Sequence, residues 1–423
     1  MTRPLRGVRS VAVLGIASLA LTACGGSESD AGAESSPSES SSATAAGDGT
    51  LTIGSLLPQT GSLAFLGPPE FAGVQLAIND INAAGGYNGT DVAYQESDSG
   101  DTTTDIASQS VQRLLSGNAD AIVGAASSGV SFNVIDAITG AGVVHFSPAN
   151  TSPDFTDYDD NGLYFRTAPS DVLQGRVMGE LLLQDGHLDV SLLTLDDPYG
   201  SGLAENITST LEEGGGTVVS NTVFNPDSPT YDAAVAEVVE AQPEALVVIG
   251  FAQTIQIVQA LIAQGVGPDT LPLYFVDGNL ADYSGDFAPG TLEGTKGTLP
   301  GAATSDEFRT RLLEVDPALT DFSYAPESYD ATVLIALAAK AAGDDSGTAI
   351  AEQLPAVSEG GTKCTTYEEC STLLDSDEDI DYDGFSGPVE FDENGDPTEA
   401  TIGVYQYGPE NTYTNVDYIE GSL

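Results

Sequence analysis

The chain has 423 residues, 41% of them apolar, which is enough for two domains with sizeable buried cores. Its 64 Asp and Glu against 11 Lys and Arg give a formal net charge of −53. Such a surface repels phosphate backbones and excludes nucleic acid as a partner. The acid excess fits an exported protein with a solvated carboxylate surface, and solubility in high salt is a second reading of it.

Residues 1–24 carry Arg3, Arg6 and Arg9, then an apolar run over 11–21, then Leu21-Thr22-Ala23-Cys24. This order of basic, apolar and small residues marks an export signal. The apolar run is shorter than the ~20 residues that span a bilayer. Leu-Thr-Ala-Cys resembles the bacterial lipobox. By that resemblance Cys24 becomes the first mature residue, carries lipid on its sulfur and holds the protein at the outer face of the cell membrane without a spanning helix. Residues 25–49 are rich in Ser, Ala, Gly, Glu and Asp and nearly free of large apolar side chains. They cannot bury enough surface to fold and read as a disordered tether.

From residue 51 short apolar runs alternate with helical patterns. Strands are expected at 51–57, 92–95, 121–124 and 143–146, with helices at 68–84, 102–116 and 130–139. A second series has helices at 172–183, 202–213, 231–240 and 254–264, with strands at 190–195, 218–224, 245–250 and 273–276. Repeated β-α units imply parallel sheets covered by helices. A helix at 328–342 and strands at 389–391 and 401–407 are too few for a third domain. The expected fold is α/β, with two Rossmann-like lobes and a hinge that the chain crosses more than once. Residues 50–167 and 298–398 form the N-terminal lobe, and 168–297 with 399–423 the C-terminal lobe. Ligand residues belong at the C-terminal ends of the strands.

Two such strand ends are polar. Residues 123–131 read Val-Gly-Ala-Ala-Ser-Ser-Gly-Val-Ser and residues 147–152 read Ser-Pro-Ala-Asn-Thr-Ser. The first opens a helix, so its hydroxyls and backbone N–H groups stand where an anion is favoured. Ser128 reads equally as a helix cap and Thr151 as a turn residue. Asp277 directly follows an apolar strand, and Asp277-Gly278 is also a turn signal. Cys364 and Cys370 lie in a turn-rich segment and, in an exported protein, read as a disulfide loop.

Several segments together resemble a known family. They are Ile-Gly-Ser-Leu-Leu-Pro-Gln-Thr-Gly at 53–61, Ala-Ile-Asn-Asp-Ile-Asn-Ala-Ala-Gly-Gly-Tyr-Asn-Gly at 77–89, and the stretches 146–153, 164–170 and 198–203. Tyr329-Asp330-Ala331 and residues 385–396 complete the set. Their order and spacing resemble the solute-binding lipoproteins of branched-chain amino acid ABC transporters, with the type I periplasmic-binding-protein fold. The resemblance implies a monomer that closes two lobes over a small amino acid or amide and delivers it to an ABC permease. It implies that Ser128, Ala149 and Thr151 receive the ligand carboxylate, that Asp277 takes the ammonium and that Tyr199 helps close the cleft. Phe65 and Gln253 fall on the expected side-chain walls. Gln253 and Ala252 stand where relatives often carry an aromatic, which implies a smaller or more polar wall here. Glu327 lies near the expected side-chain pocket, facing a polar or cationic group, or serves as a solvated helix-start carboxylate. The same fold also accommodates urea, a short amide or a small aromatic acid, or serves a sensor in place of a transporter.

Residues 379–390 read Asp-Ile-Asp-Tyr-Asp-Gly, five residues, then Glu, the pattern of a calcium loop. Flanking helical patterns are missing and Pro388 lies inside, so an acidic turn is the reading adopted. Asp98, Asp101 and Asp105 read as loop and helix-start carboxylates, and His145 as a satisfied core residue. No Cys–His cluster, Gly-Lys-Ser/Thr phosphate loop or Gly-x-Ser-x-Gly elbow is present, so no metal, cofactor or enzymatic activity is expected.

Overall fold

The structure is a computed structural model that describes residues 47–422. The expected export signal, Cys24 and nearly all of the expected tether lie outside the described residues. The first lobe opens with β1 (Thr52–Leu57), α1 (Gly67–Ala83), β2 (Ala93–Asp98), α2 (Ile106–Ser116), β3 (Ala121–Gly124), α3 (Ser128–Thr139), β4 (Val144–Ser147) and β5 (Tyr164–Arg166). These strands make one sheet in the order β2-β1-β3-β4-β5, parallel throughout. β1, β3, β4 and β5 are buried along their whole length. Helices covering both faces explain why these strands are apolar runs rather than alternating ones.

The second lobe follows with α4 (Asp171–Gln184), β6 (Asp189–Leu195), α5 (Pro198–Glu213), β7 (Thr217–Phe224), α6 (Asp232–Ala241), β8 (Ala245–Ile249), α7 (Thr254–Ala263), β9 (Leu273–Phe275) and β10 (Lys296–Pro300). The chain then returns to the first lobe as α8 (Asp306–Val315), α9 (Ala325–Ala342), α10 (Gly347–Ser358), β11 (Thr362–Cys364), α11 (Tyr367–Leu374) and β12 (Ile380–Tyr382). It ends in the second lobe as β13 (Glu399–Tyr407) and β14 (Tyr413–Ser422). The second sheet is seven-stranded, ordered β14-β13-β10-β9-β8-β6-β7. The β10–β13 and β13–β14 pairs are antiparallel and the other pairs of this sheet are parallel. The chain therefore passes between lobes after Arg166, after Pro300 and before Glu399.

Helix α9 is apolar and buried nearly all round, as a helix packed inside a lobe must be. Small residues let α1 approach it: a Cβ on Gly73 would stand 2.4 Å from the Ala325 carbonyl oxygen. Behind the crossings Arg166 is fully buried. Its Nε and Nη2 donate to the two Asp396 oxygens at 2.6 and 2.7 Å. That pair ties the end of β5 to the segment leading into β13.

The structure differs from the expected elements in definable ways. Residues 389–391 form no ladder strand, only an isolated bridge from Phe391 to Pro397. Pro388 and Pro397 have no N–H to donate, while Val389 and Phe391 still bury their side chains in the first-lobe core. The boundary expected at 298 falls inside β10, which stays in the second sheet through Pro300 by pairing with β13. Helix α5 begins at Pro198 rather than 202, because Asp197 caps it by accepting from Gly200 N–H at 2.9 Å. β14 has no apolar period to betray it; it is largely exposed and is held by its hairpin with β13. The Cys364–Cys370 disulfide is formed and joins the end of β11 to α11.

Candidate functional site

The lobes meet along a seam built from strand ends. β3 ends at Gly124, whose φ of +127 and 2.0 Å separation between a hypothetical Cβ and the Leu56 carbonyl oxygen exclude any other residue. The next turn enters α3, and Ser127 rather than Ser128 is its cap, accepting from Val130 N–H. That leaves the Ser128 hydroxyl free to face the seam; its only hydrogen bond is a long one, 3.4 Å, from Ser152 N–H.

The 147–152 turn is tied from behind. Ser147 Oγ accepts from Ala149 and Asn150 N–H and donates to the Ala125 carbonyl. Asn150 Nδ2 donates to the Ala125 and Ala126 carbonyls. Arg166 Nη1 donates to the carbonyls of Asn150 and Ser152. With its carbonyls turned back onto Arg166, the turn presents Ala149 and Thr151 forward. Thr151 is 1% exposed and its hydroxyl has no hydrogen-bond partner.

Asp277 stands opposite, two residues past the end of β9, on a turn fixed by Asn279 Oδ1 accepting from Val276 N–H. Tyr199 and Tyr324 hydroxyls donate to its two oxygens at 2.7 and 2.8 Å, and Gln174 Nε2 donates at 3.0 Å. Burial raises its pKa, and these three donors act the other way. Tyr324 is held in the left-handed region at φ 58, immediately before α9, a costly backbone state for a bulky residue.

Sequence reasoning missed Asp171. It lies on the first turn of α4, and both of its carboxylate oxygens are buried without a hydrogen-bond partner. Its pKa is raised by burial first and by the charge of Asp277 second. Gln174, one helical turn on, donates to Asp277 while its own Oε1 is unpartnered. The seam thus gathers acceptors: two carboxylates, an amide oxygen and the Thr151 hydroxyl. Only the i, i+3 spacing of Asp171 and Gln174 at a helix start hinted at this, and that spacing is common.

Ser128, Ala149, Thr151, Tyr199 and Asp277 line one enclosure with Leu63, Leu66, Phe251 and Tyr324. Its volume of about 10 Å³ holds at most about one water. The seam is shut: Ala252 N–H donates to the Ser62 carbonyl at 3.3 Å and Ser152 Oγ to the Pro198 carbonyl at 3.2 Å. The other expected wall residues are elsewhere. Gln253 closes its own turn, accepting from Phe251 N–H at 3.1 Å, and faces the outer mouth beside Asp101 and Asp197. The aromatic expected to be missing is supplied one residue earlier by Phe251, stacked on Tyr199 with centroids 5.5 Å apart. Phe65 and Glu327 line a larger crevice on the far side of Tyr324. Glu327 is neither solvated nor in the enclosure; it is 3% exposed, and burial raises its pKa to about 8.

His145 is fully buried in β4 as a core residue, edge-on to Tyr164 with ring centroids 5.3 Å apart. Burial lowers its pKa to about 4. In the 379–390 segment, Asp381 and Asp383 face Lys363 as ion pairs. Among the described residues no group of three or more His, Cys, Asp or Glu is arranged to hold a metal, and no helix is long and apolar enough to cross a membrane.

Comparison with known proteins returns one family. The periplasmic binding protein profile matches residues 50–408. The chain is 26% identical over 356 residues to the chemotactic signal transduction system substrate-binding protein BasB of Halobacterium salinarum, covering 80% of this chain and 83% of that one. The fold is similar to the branched-chain amino acid transporter substrate-binding protein LivJ of Streptococcus pneumoniae, solved with isoleucine (TM-score 0.71, 21% identity, 88% of this chain and 100% of that one). It is also similar to an R. palustris ABC transporter solute-binding protein solved with benzoate (TM-score 0.70, 17% identity, 89% and 98%).

Proposed function

This chain belongs to the periplasmic binding protein family, and we propose that it captures a small neutral amino acid, branched-chain or related, for an ABC importer by closing its lobes. In this reading the chain is a monomer held at the outer face of the membrane by lipid on Cys24. Ser128 and the Ala149–Thr151 turn receive the carboxylate, and Asp277 receives the ammonium, with Tyr199 completing the enclosure. It is a binding protein, with no chemistry done on the ligand.

One observation carries the choice of ligand. The enclosure holds Asp277, with Asp171 buried behind it, and no Lys or Arg lines it. A ligand that is only an anion, such as an aromatic acid, would leave Asp277 facing like charge. A zwitterion presents an ammonium to Asp277 and its carboxylate to hydroxyl and N–H donors. Leu63, Leu66 and Phe251 then suit an apolar side chain. Titration calorimetry against leucine, isoleucine, valine, alanine, acetamide, urea and benzoate tests this. Binding confined to amino acids is expected; binding of benzoate or urea alone overturns it.

A second reading keeps the ligand and changes its use. The Halobacterium relative is named for chemotactic signal transduction, which supports a ligand sensor that hands the closed form to a signalling partner. Uptake of the bound amino acid that is lost on deleting this chain favours transport, and unchanged uptake favours sensing.

A further inference from the structure

We propose that the crevice on the far side of Tyr324 is a second binding site, which takes an organic ammonium ion. It is separate from the Asp277 enclosure and does not depend on the reading of that enclosure. Its volume is about 670 Å³, and its aromatic walls are Phe65 and Phe322 from the first lobe, Tyr405, Tyr413 and Tyr418 from the second, and Tyr324 between them. Into this aromatic lining comes one deeply buried acid, the Glu327 carboxyl, 3% exposed, whose proton a bound cation would displace.

None of the ion pairs among the described residues includes Glu327. The backbone opposite is cut back to admit it: Gly301 has φ +118, and a Cβ there would lie 2.7 Å from Glu327 Oε1. A second cavity reaches Glu327 and Gly301 from the side of the crossing segments at Thr167 and Glu399.

The chemistry that fits is a cation with apolar substituents. Aromatic faces attract such a cation through their quadrupoles, and an alkylated ammonium gives up little hydration on leaving water. A bare metal ion needs several oxygen ligands, and ring faces supply none. Phe322 already carries a cation on its face, Arg309, 5.2 Å from the ring centroid at the exposed end of the crevice. Asp282 and Asp321 add negative charge at the rim, although Tyr413 donates to Asp321 at 2.9 Å.

The test is titration calorimetry with choline chloride, and with its uncharged carbon analogue 3,3-dimethyl-1-butanol, at matched ionic strength. Matching removes the general attraction of cations to an acidic surface. Choline is expected to bind at least about tenfold more tightly than the alcohol. Glu327→Gln is expected to erase that preference. Tyr418→Ala, at a half-exposed strand position, is expected to weaken choline while leaving the fold intact. Asp277→Asn is expected to bind choline as the unaltered protein does, which separates this site from the amino-acid site. Equal binding of choline and the alcohol, no binding of choline, or an unchanged preference in Glu327→Gln would each overturn the proposal.

Discussion

Asp277→Asn separates the role of charge from the role of shape. The side chain is 5% exposed, and it accepts from Tyr199 at 2.7 Å, Tyr324 at 2.8 Å and Gln174 at 3.0 Å. Asn keeps the volume, with its oxygen accepting from Tyr199 and its NH2 donating to the Tyr324 hydroxyl, so both tyrosines retain a partner. Removing one member of a buried ion pair costs about 3–5 kcal/mol. That corresponds to roughly two to four orders of magnitude in Kd. Free protein should not lose stability, because the substitution also removes a carboxylate that opposes Asp171. Calorimetry with leucine and with 4-methylpentanoate, which is leucine without its amine, isolates the ammonium. The unaltered protein should strongly prefer leucine, and Asp277→Asn should bind the two alike. Leucine affinity unchanged by the substitution would refute the ammonium assignment; a fall shared equally by both ligands would point to lost shape instead.

Gly129→Ala should weaken amino-acid binding without lowering the melting midpoint of the free protein. Its Cβ would meet Asp197 Oδ2 across the seam at 3.0 Å, while Thr102 of its own lobe, at 2.9 Å, lies on an exposed loop with room to yield, so it opposes closure more than folding; small-angle scattering should show a wider ligand-saturated form. Asp396→Ala leaves Arg166 charged and buried, and should cost about 3–5 kcal/mol in urea unfolding. Burial raises Glu327 from 4.5 to about 8 and Asp330 from 3.8 to about 6. The folded chain therefore holds protons that the unfolded chain releases, so stability falls as pH rises through this window and levels off above about 8. The fall between pH 6 and 8 should be smaller in Glu327→Gln, as read from urea midpoints at each pH. With a net charge of −53, added sodium chloride should raise the melting midpoint, with most of the gain complete by about 1 M, where the screening length is roughly 3 Å.

The parts of the fold that were legible are those where one physical force acts alone. β3 and β8 are apolar runs because both faces are buried, and such runs cannot be mistaken for turns. β14 was hidden because an exposed edge strand needs no apolar period, only a hairpin partner. Residues 389–391 misled for the opposite reason: Val389 and Phe391 are apolar for the core, while the flanking prolines deny them a ladder. At the site, strand ends and the family resemblance led to Ser128, Ala149, Thr151, Tyr199 and Asp277, which the structure gathers in one enclosure. Phe65, Gln253 and Glu327 sit on loops or a helix start, where neighbouring residues point in different directions. Leu66 enters the enclosure while Phe65 leaves it, and Phe251 enters while Gln253 turns back on its own backbone. Asp171 was illegible because nothing local distinguishes a helix-start carboxylate in solvent from one shut in a seam.

That second carboxylate changes how closure is understood. With about 10 Å³ of space, the shut seam offers an empty protein little to bind and two acids to bury together. Both have raised pKa values, so closing without a cation requires either taking up a proton or tolerating repulsion. On the proposed reading, an ammonium paired with Asp277 removes that cost where it arises. Moving an equilibrium from 1:99 to 99:1 takes about 5.5 kcal/mol of differential binding. Pairing a buried carboxylate, worth about 3–5 kcal/mol by the cost of breaking such a pair, supplies most of it. On that reading, side-chain contacts with Leu63, Leu66 and Phe251 need supply only the remainder, so the amine would govern whether the lobes close and the apolar wall which amino acid closes them. Tyr324 links the two roles. Its hydroxyl donates to an Asp277 oxygen, and the residue lines both the enclosure and the larger crevice beyond it.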